Sequence, residues 1–212
     1  MTMTNVPTRR QMYTAQTREA LLEAARTAFV DRGYAQTSIE DITAAARISK
    51  GAFYRHFADK QAVFIELFAD RLRDAAVLIR EAVTTIRAGA PGQGIQSALA
   101  CAYEFAQRSV TDPLHRELLR QAPEVLGEQK YVAIDDELVL PPLLELLTAL
   151  ADRGELRDGI PLATTARLLL RLLCASNTLI ANATDREAIL TECTITVALF
   201  FSGIVQPDAA AP

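Results

Sequence analysis

The sequence has no tryptophan and only two histidines among its 212 residues, and aromatic residues make up 6% of it. Common catalytic motifs are missing too: there is no Gly-x-Ser-x-Gly element, no P-loop and no dinucleotide-binding glycine motif. No histidine or cysteine pair has metal-ligand spacing, so we predict neither a cofactor nor a metal site. We therefore expect a protein that is not an enzyme, with an enzyme as the weaker alternative.

Cysteines are few and odd in number, which is unlike a disulfide framework. Cys101, Cys174 and Cys193 each lie in an apolar, helix-like run, so we interpret them as reduced core residues, with a redox sensor as the alternative. The acidic run Asp135-Asp136-Glu137 is interpreted as a solvated helix face rather than a metal site.

Long uncharged apolar runs are also missing, which argues against a transmembrane helix. The longest candidate, residues 172–184, is short and contains Ser176, Asn177 and Asn182. The first 17 residues have no apolar signal core. We predict a cytoplasmic protein with no membrane partner.

Charge is unevenly distributed along the chain, although the net charge is only −4. Residues 1–60 hold nine Lys/Arg and six Asp/Glu, whereas residues 61–212 hold thirteen and twenty. A basic head on an acidic body is typical of a protein in which one small module meets phosphate.

Apolar residues recur at helical spacing almost throughout, and no alternation flanked by hairpin turns occurs, so we predict an all-α fold. Gly33 should end the first helix, a Thr37–Glu40 capping box should open the second, and Pro141-Pro142 should bend or interrupt a long later one. The predicted helices cover about 16–32, 38–45, 50–56, 60–87, 93–110, 114–121, 129–152, 161–182 and 186–204. The predicted domains are a flexible arm (1–15), a three-helix domain (16–64), a helical effector-binding and dimerisation domain (65–205) and a disordered tail (206–212).

The first three predicted helices match a helix-turn-helix, in which the third helix is the recognition helix. Phe53 and Phe57 lie four residues apart on that helix and can clamp one of its faces to the domain. Gly51 and Ala52 would let the backbone approach DNA closely, and the helix N-terminus attracts phosphate.

The head of the chain closely resembles the N-terminal domain of TetR/AcrR-type regulators over roughly residues 16–64. The shared residues are Phe29, Gly33-Tyr34, Thr37-Ser38-Ile39, Asp41-Ile42, Ala45-Ala46, Ile48-Ser49-Lys50-Gly51-Ala52-Phe53-Tyr54, His56-Phe57 and Lys60. The resemblance implies a homodimer that binds a palindromic operator, usually as a repressor released by a small molecule. An activator and a helical sensor or adaptor with impaired DNA binding are the alternatives.

The resemblance also implies a set of DNA contacts. Lys50, Gly51 and Ala52 should face bases, and Thr37, Ser38 and Lys60 should contact phosphate. Tyr54 and His56 should contact phosphate or a thymine methyl group. For Thr37 and Ser38 the alternative is capping alone, for His56 it is packing or solvation, and Arg55 can face water or protein. The predicted DNA-binding set is Thr37, Ser38, Arg47, Ser49, Lys50, Gly51, Ala52, Tyr54, His56 and Lys60.

One position departs from the family pattern. The turn before the recognition helix usually reads Ala-Gly-Val, but here it is Ala46-Arg47-Ile48. Glycine readily takes the left-handed conformation, which would cost arginine about 1 kcal/mol. Either Arg47 recovers that cost through a phosphate contact or the turn has a different geometry.

The last two predicted helices, 161–182 and 186–204, are apolar over more than one face, which predicts a four-helix dimer interface. The alternative is that they form only the domain core. A cavity for an unknown, largely apolar effector is expected among the central helices; for each candidate residue the alternative is core packing or surface charge. The candidate effector-binding residues are Cys101, Tyr103, Phe105, Arg108, Leu118, Leu119, Leu144, Leu147, Arg167, Leu170, Arg171 and Asn177.

Overall fold

The computed structural model describes residues 8–90 and 92–206, and within these ranges the chain forms ten α-helices and no strand. The all-α prediction is confirmed, and the third and last helices have the predicted bounds. The helices are α1 (Arg9–Gln36), α2 (Ile39–Ala46), α3 (Lys50–His56), α4 (Lys60–Ala88), α5 (Gly94–Thr111), α6 (Pro113–Leu126), α7 (Glu128–Leu138), α8 (Leu140–Asp152), α9 (Leu162–Asn182) and α10 (Arg186–Ile204).

Helix α1 begins seven residues earlier than predicted, inside the segment expected to be an arm. The Thr8 hydroxyl accepts a hydrogen bond from the Gln11 N–H, and the Gln11 side chain accepts one from the Thr8 N–H. This reciprocal cap stabilises a helix start that an apolar pattern does not reveal. Gly33 has the predicted positive φ (78°) and kinks α1. Residues 1–7 of the predicted arm and 207–212 of the predicted tail lie outside the described residues.

Prolines that were predicted to end or interrupt helices lie inside them. Pro123 lies inside α6, near its end, where it removes a single hydrogen bond, and Gly127 with φ 76° ends the helix. The predicted helix 129–152 is two helices divided at Val139. Pro141 and Pro142 lie in the first turn of α8, where a missing N–H costs nothing.

The chain divides into two compact units between Leu67 and Phe68, three residues beyond the predicted domain boundary. The first unit contains α1, α2, α3 and the start of α4. Its core is aromatic: Phe29 lies 5.9 Å from Phe64 between ring centroids, and Phe53 lies 5.8 Å from Phe57. This packing holds the short helices α2 and α3, which are too short to be stable alone.

The second unit is built around α9, which packs against α5, α6, α8 and α10. Leu169, Leu170 and Ile180 of α9 are buried in its core. Helix α10 is long and apolar enough to cross a membrane by length and composition, with a mean hydropathy of 1.5, which the sequence analysis did not anticipate. Leu190 and Phe201 on one of its faces are nevertheless buried in this unit.

Candidate functional site

Helix α3 is held by one face and exposed on the other. Phe53 is completely buried and Phe57 nearly so, as the clamp prediction requires. The Arg18 guanidinium lies over the Phe57 ring, 4.9 Å from its centroid, and also pairs with Glu66 of α4. Ser49 caps the helix by accepting a hydrogen bond from the Ala52 N–H. The orientation of α3 is therefore fixed by the packing of its inner face and by its N-terminal cap.

The outward face of α3 offers small and polar groups. Ser49, Lys50, Gly51, Tyr54 and Arg55 are all exposed, which also answers the question of where Arg55 points. A Cβ added at Gly51 would meet nothing within 4 Å. The backbone at this position is accordingly open to close approach by a partner.

Thr37 and Ser38, which were both predicted to contact phosphate at the start of α2, have different environments in the structure. Thr37 is buried, and its hydroxyl donates to the carbonyl oxygens of Ala28 and Gly33 at 3.2 and 2.8 Å. In the free protein this hydroxyl is turned away from solvent, so the structure does not support the predicted phosphate contact. Ser38 is exposed and is the true N-cap, in a capping box with Asp41 rather than Glu40.

Two residues of α3 face the domain more than expected. Ala52 is buried, because it lies on the same side of the short helix as Phe53, so direct base contact by its methyl group is not supported. His56 is half-buried, and burial, followed by the nearby Arg18 and Arg55 charges, lowers the pKa of its imidazole. His56 is consequently neutral at pH 7 in the free protein.

Lys50 has a partner in the free protein. Its ammonium forms an ion pair with the Glu40 carboxylate of α2, and both side chains are exposed. The hydrogen bond to Glu40 raises the pKa of Lys50, and the same bond lowers the pKa of Glu40. Since exposed pairs are weak, a phosphate or base edge can displace this carboxylate.

Arg47 takes the left-handed conformation in the turn between α2 and α3, with φ 56° and ψ 40°. Among the described residues it is the only non-glycine residue with positive φ. The turn therefore keeps the tight geometry that glycine would favour, and the side chain at this strained position is exposed.

The Lys60 side chain is hydrogen-bonded to backbone groups of the first unit. Its ammonium donates to the carbonyl oxygens of Tyr34 and Thr37, each at 2.6 Å, and lies 4.0 Å from the centroid of the Tyr34 ring. Desolvation lowers the pKa of this half-buried amine. A cation at the carboxyl end of α1 stabilises it, so the structure supports a positioning role for Lys60 more than a phosphate contact.

The first turns of α1 form a second side of the surface around α3, which was not predicted from the sequence. An open groove of about 730 Å³ separates the first turns of α1 from α3. Arg9, Tyr13 and Thr17 line it at a spacing of four residues, which is one face of a helix and would have revealed them had α1 been extended. None of the described residues that line the groove is acidic; they are Arg9, Tyr13, Thr14, Thr17, Ile48, Ser49, Ala52, Arg55 and His56.

The second unit contains a cavity of about 50 Å³ enclosed by residues of α4 to α10. Five of the twelve predicted effector residues line it: Cys101, Phe105, Leu119, Leu170 and Asn177.

The other predicted effector residues do not line this cavity. Leu118 and Leu147 are buried outside it, Leu144 is half-buried, and Tyr103 lines a smaller hollow nearby. Arg108 pairs with Glu104, and Arg167 and Arg171 both pair with Asp136. These arginines were chosen for charge alone, but each already has a carboxylate partner.

A buried polar cluster at the cavity was not predicted. Asp135 of α7 is 1% exposed, so the interpretation of its acidic run as a solvated face is wrong at this residue. Its Oδ2 accepts a hydrogen bond from the Cys174 thiol at 3.2 Å and lies 3.6 Å from Arg171 Nη1. Burial raises the pKa of Asp135, opposed by Cys174 and Arg171. Tyr131 and Asp135 are four residues apart on one face of α7, and this spacing was the available signal.

The cysteines behave as core residues. Burial raises the pKa of the Cys101 and Cys174 thiols to about 12, so neither forms the reactive thiolate at neutral pH. Cys193 is buried as well. The redox-sensor alternative has no support from these environments.

Helices α9 and α10 pack on each other and leave an apolar face uncovered. Leu168 and Leu179 of α9 and Ile195 and Leu199 of α10 are each more than half exposed. We call these four residues the α9–α10 face.

Comparison with known proteins gives the family. Residues 21–67 match the family model of bacterial regulatory proteins of the tetR family, and residues 95–204, more than half of the chain, match the tetracyclin repressor-like C-terminal domain. The transcriptional repressor BepR of Brucella suis is 28% identical over 165 residues, which cover 75% of this chain and 78% of BepR. The repressor DhaR of a Mycobacterium species is 39% identical over 69 residues, which cover 31% of this chain and 35% of DhaR.

A solved structure shares the fold over nearly the whole chain. A TetR-family transcriptional regulator from Pectobacterium atrosepticum superimposes with a TM-score of 0.73 at 24% identity, covering 94% of this chain and 98% of that one. At this identity the likeness shows the fold alone, but it agrees with both family models. The chain therefore belongs to the TetR family of DNA-binding transcription regulators, which are not enzymes.

Proposed function

We propose that the protein is a cytoplasmic repressor that binds a palindromic operator as a homodimer and leaves it when a small molecule enters the second unit. The observation that carries the DNA-binding part is the outward face of α3, which is exposed, polar and fixed from behind by Phe53 and Phe57. A helix presented in this way fits the major groove. Its partners there would be DNA phosphates and base edges rather than protein.

The residues proposed to contact DNA are revised accordingly. Ser38, Arg47, Ser49, Lys50, Gly51 and Tyr54 are exposed and stay in the set, with His56 at its edge, and the exposed Arg55 is a new member. Arg9 and Tyr13 are added, because the groove beside α3 is open, lacks acidic lining and can take a DNA backbone.

The sharpest test of this surface is Gly51→Ala. Because its Cβ meets open space, the substitution should leave the free protein as stable as before, or up to about 1 kcal/mol more stable through helix propensity. The added methyl group should nonetheless weaken operator binding about tenfold or more, since it keeps the backbone away from the bases.

The operator for this test comes from selection of bound duplexes out of a random pool. Gly203→Ala is the matched control, because it is also a helical glycine with open space at its Cβ; since it lies one turn beyond Leu199 of the α9–α10 face, sedimentation first checks that this variant keeps the wild-type oligomeric state. Gly51→Ala binding with wild-type affinity would overturn the placement of α3 on DNA.

The dimer is proposed to form through the α9–α10 face. Four large apolar side chains exposed on two adjacent helices are more than a monomer surface usually carries in one place. The same two helices from a partner would complete a four-helix interface around a two-fold axis.

Sedimentation of a Leu179→Glu, Leu199→Glu double variant tests this face. Two buried unpaired carboxylates at a symmetric interface should convert the dimer to a monomer. Val77→Glu, which places the same charge at an exposed apolar residue of α4, should remain dimeric. A double variant that stays dimeric would exclude the α9–α10 face.

Effector release is proposed to act through α4. Leu72, Ala75 and Ile79 of this helix line the cavity, and its first residue, Lys60, holds the end of α1. A molecule that prefers a widened cavity therefore has a rigid element through which to shift the DNA-binding population.

A covalent link between α4 and α8 tests this route. Arg87 and Glu145 form an ion pair at 3.0 Å, so Arg87→Cys and Glu145→Cys place two thiols within reach of a short bismaleimide. The linked protein should bind operator whether or not effector is present. Release by effector in spite of the link would contradict a role for α4 movement.

A further inference from the structure

Most of the hydrogen-bond donors that line the cavity of the second unit are occupied. The Asn177 amide donates to the Leu173 carbonyl oxygen at 3.0 Å, and the Thr178 hydroxyl donates to that of Cys174 at 3.0 Å. The Cys174 thiol donates to Asp135, and the Tyr131 phenol interacts with the same thiol and carboxylate. Among the described lining residues, this leaves the weakly donating thiol of Cys101 and the second N–H of the Asn177 amide.

Acceptor capacity, in contrast, is left over at one place. The Asn177 oxygen already accepts from the Ser109 hydroxyl at 2.9 Å. A carboxylate offers about four lone-pair positions, whereas Asp135 accepts a hydrogen bond from the Cys174 thiol and interacts with the Tyr131 phenol. Arg171 Nη1 is 3.6 Å away, which is too far for a further hydrogen bond. Asp135 can therefore accept at least one more donor from the cavity.

The charges around this acceptor are already balanced. Asp135 and Asp136 face Arg167 and Arg171, two charges of each sign, with Arg171 close to both carboxylates. Burial raises the pKa of Asp135, while the thiol hydrogen bond and the nearby guanidinium oppose that rise and stabilise the ionised, acceptor-only form. Nε and Nη1 of Arg171 make no hydrogen bond, but its charge is matched by these carboxylates, so desolvation would oppose the binding of a charged ligand in this mainly aliphatic cavity.

From this imbalance between donors and acceptors, we propose that the effector is a small, uncharged, largely apolar molecule with a hydroxyl group of the alcohol or phenol type, which donates to Asp135. The inference rests on the proposed effector-released function and specifies its ligand. A cavity of about 50 Å³ holds only a few water-sized groups, so such a molecule is either small or widens the cavity on entry.

Direct binding of four probes to the full-length protein, measured by calorimetry without DNA, tests the proposal. Phenol and toluene have the same number of non-hydrogen atoms and differ in the donor, so the wild type should bind phenol about tenfold more tightly. Benzoate and benzylammonium should bind more weakly than phenol. Toluene binding as tightly as phenol, benzoate binding best, or no probe binding would each overturn the proposal.

Variants at the two acidic residues show whether Asp135 is the acceptor. Asp135→Leu keeps the number of side-chain atoms and should abolish the preference for phenol over toluene. Asp136→Leu is the matched control, because Asp136 shares the arginine partners but does not line the cavity, and it should keep the preference. An unchanged preference in Asp135→Leu overturns the assignment.

Two further measurements keep the result decisive. If Asp135→Leu does not fold, Cys174→Ala should bind phenol more tightly than the wild type, because it removes a donor that competes for the carboxylate; weaker binding would count against the proposal. Adding phenol to the protein–operator complex then separates the two hypotheses. Phenol that binds but leaves the complex intact supports the donor-accepting cavity and contradicts effector release.

Discussion

The two units of this protein treat polar groups in opposite ways. In the first unit, the polar side chains of α3 stand in solvent, and the Lys50–Glu40 pair is exposed on both sides. In the second, polar groups are buried and bonded to one another, as Asp135 is to Cys174 and Ser109 is to Asn177. A surface that meets hydrated DNA needs groups that can change partners at low cost, whereas a cavity that takes a molecule out of water needs most of its polar groups paired in advance.

The largest effect should come from the clamp behind α3. Phe53→Ala removes a fully buried ring and should cost about 3–5 kcal/mol of unfolding free energy, with loss of operator binding. Tyr54→Ala, one residue further on but exposed, should leave the urea midpoint nearly unchanged and weaken operator binding alone. Equal destabilisation by the two variants would show that α3 is not held from behind as described.

The next effect concerns a buried histidine of the second unit. His115 is 1% exposed, its Nε2 has no hydrogen-bond partner, and its ring stands edge-on to Phe105. Burial lowers its pKa to about 4, opposed by Asp112 and assisted by Arg108 and Arg71.

The direction of the change in stability with pH follows from which state, folded or unfolded, binds the proton at the higher pH. Below pH 6.5 the unfolded chain protonates while the folded protein does not, so stability present above pH 6.5 is lost progressively towards pH 4. At pH 5 this loss is about 2 kcal/mol. Urea titrations at pH 7 and pH 5 should show it in the wild type and not in His115→Leu. Equal losses in both proteins would exclude His115 as the cause.

The same contrast explains how far the sequence could be interpreted. The first unit was predictable because its chemistry is local: the clamp residues, the Ser49 cap and the left-handed turn at Arg47 are neighbours in the chain. The expectation that the structure does not support in this unit concerned a long-range contact. Lys60 was expected to face DNA, but it bonds to carbonyl groups more than twenty residues away.

In the second unit the deciding contacts are distant in sequence, so spacing could not reveal them. Asp135 is bonded to a thiol 39 residues away, and an acidic triplet in isolation reads as surface. Helix bounds were still largely predictable from apolar periodicity and caps. The side chains that reach the cavity were not, because lining is decided by which faces of α4 to α10 meet.

A smaller effect measures the strain stored beside α3. Arg47→Gly should raise the unfolding free energy by about 1 kcal/mol, because glycine takes φ 56° without steric cost. If Arg47 also contacts phosphate, the slope of log affinity against log salt should fall by about one unit. Arg47→Ala keeps the strain and removes the charge, so it should change the salt slope alone. A glycine variant no more stable than the alanine variant would rule out strain at this turn.

The smallest effect tests whether the exposed pair of the first unit really exchanges partners. Glu40→Gln removes the carboxylate that holds Lys50 and one negative charge near the DNA-facing surface. Operator affinity should rise about two- to fivefold at low salt and return to the wild-type value at high salt, since both side chains are screened by solvent. Glu23→Gln makes the same charge change on α1, where the carboxylate pairs with Arg26, and should have less effect. An equal rise in both variants would attribute the gain to net charge. No rise in either variant would mean that Lys50 does not leave Glu40 for DNA. The polar groups of the first unit would then keep their partners, as those of the second unit do.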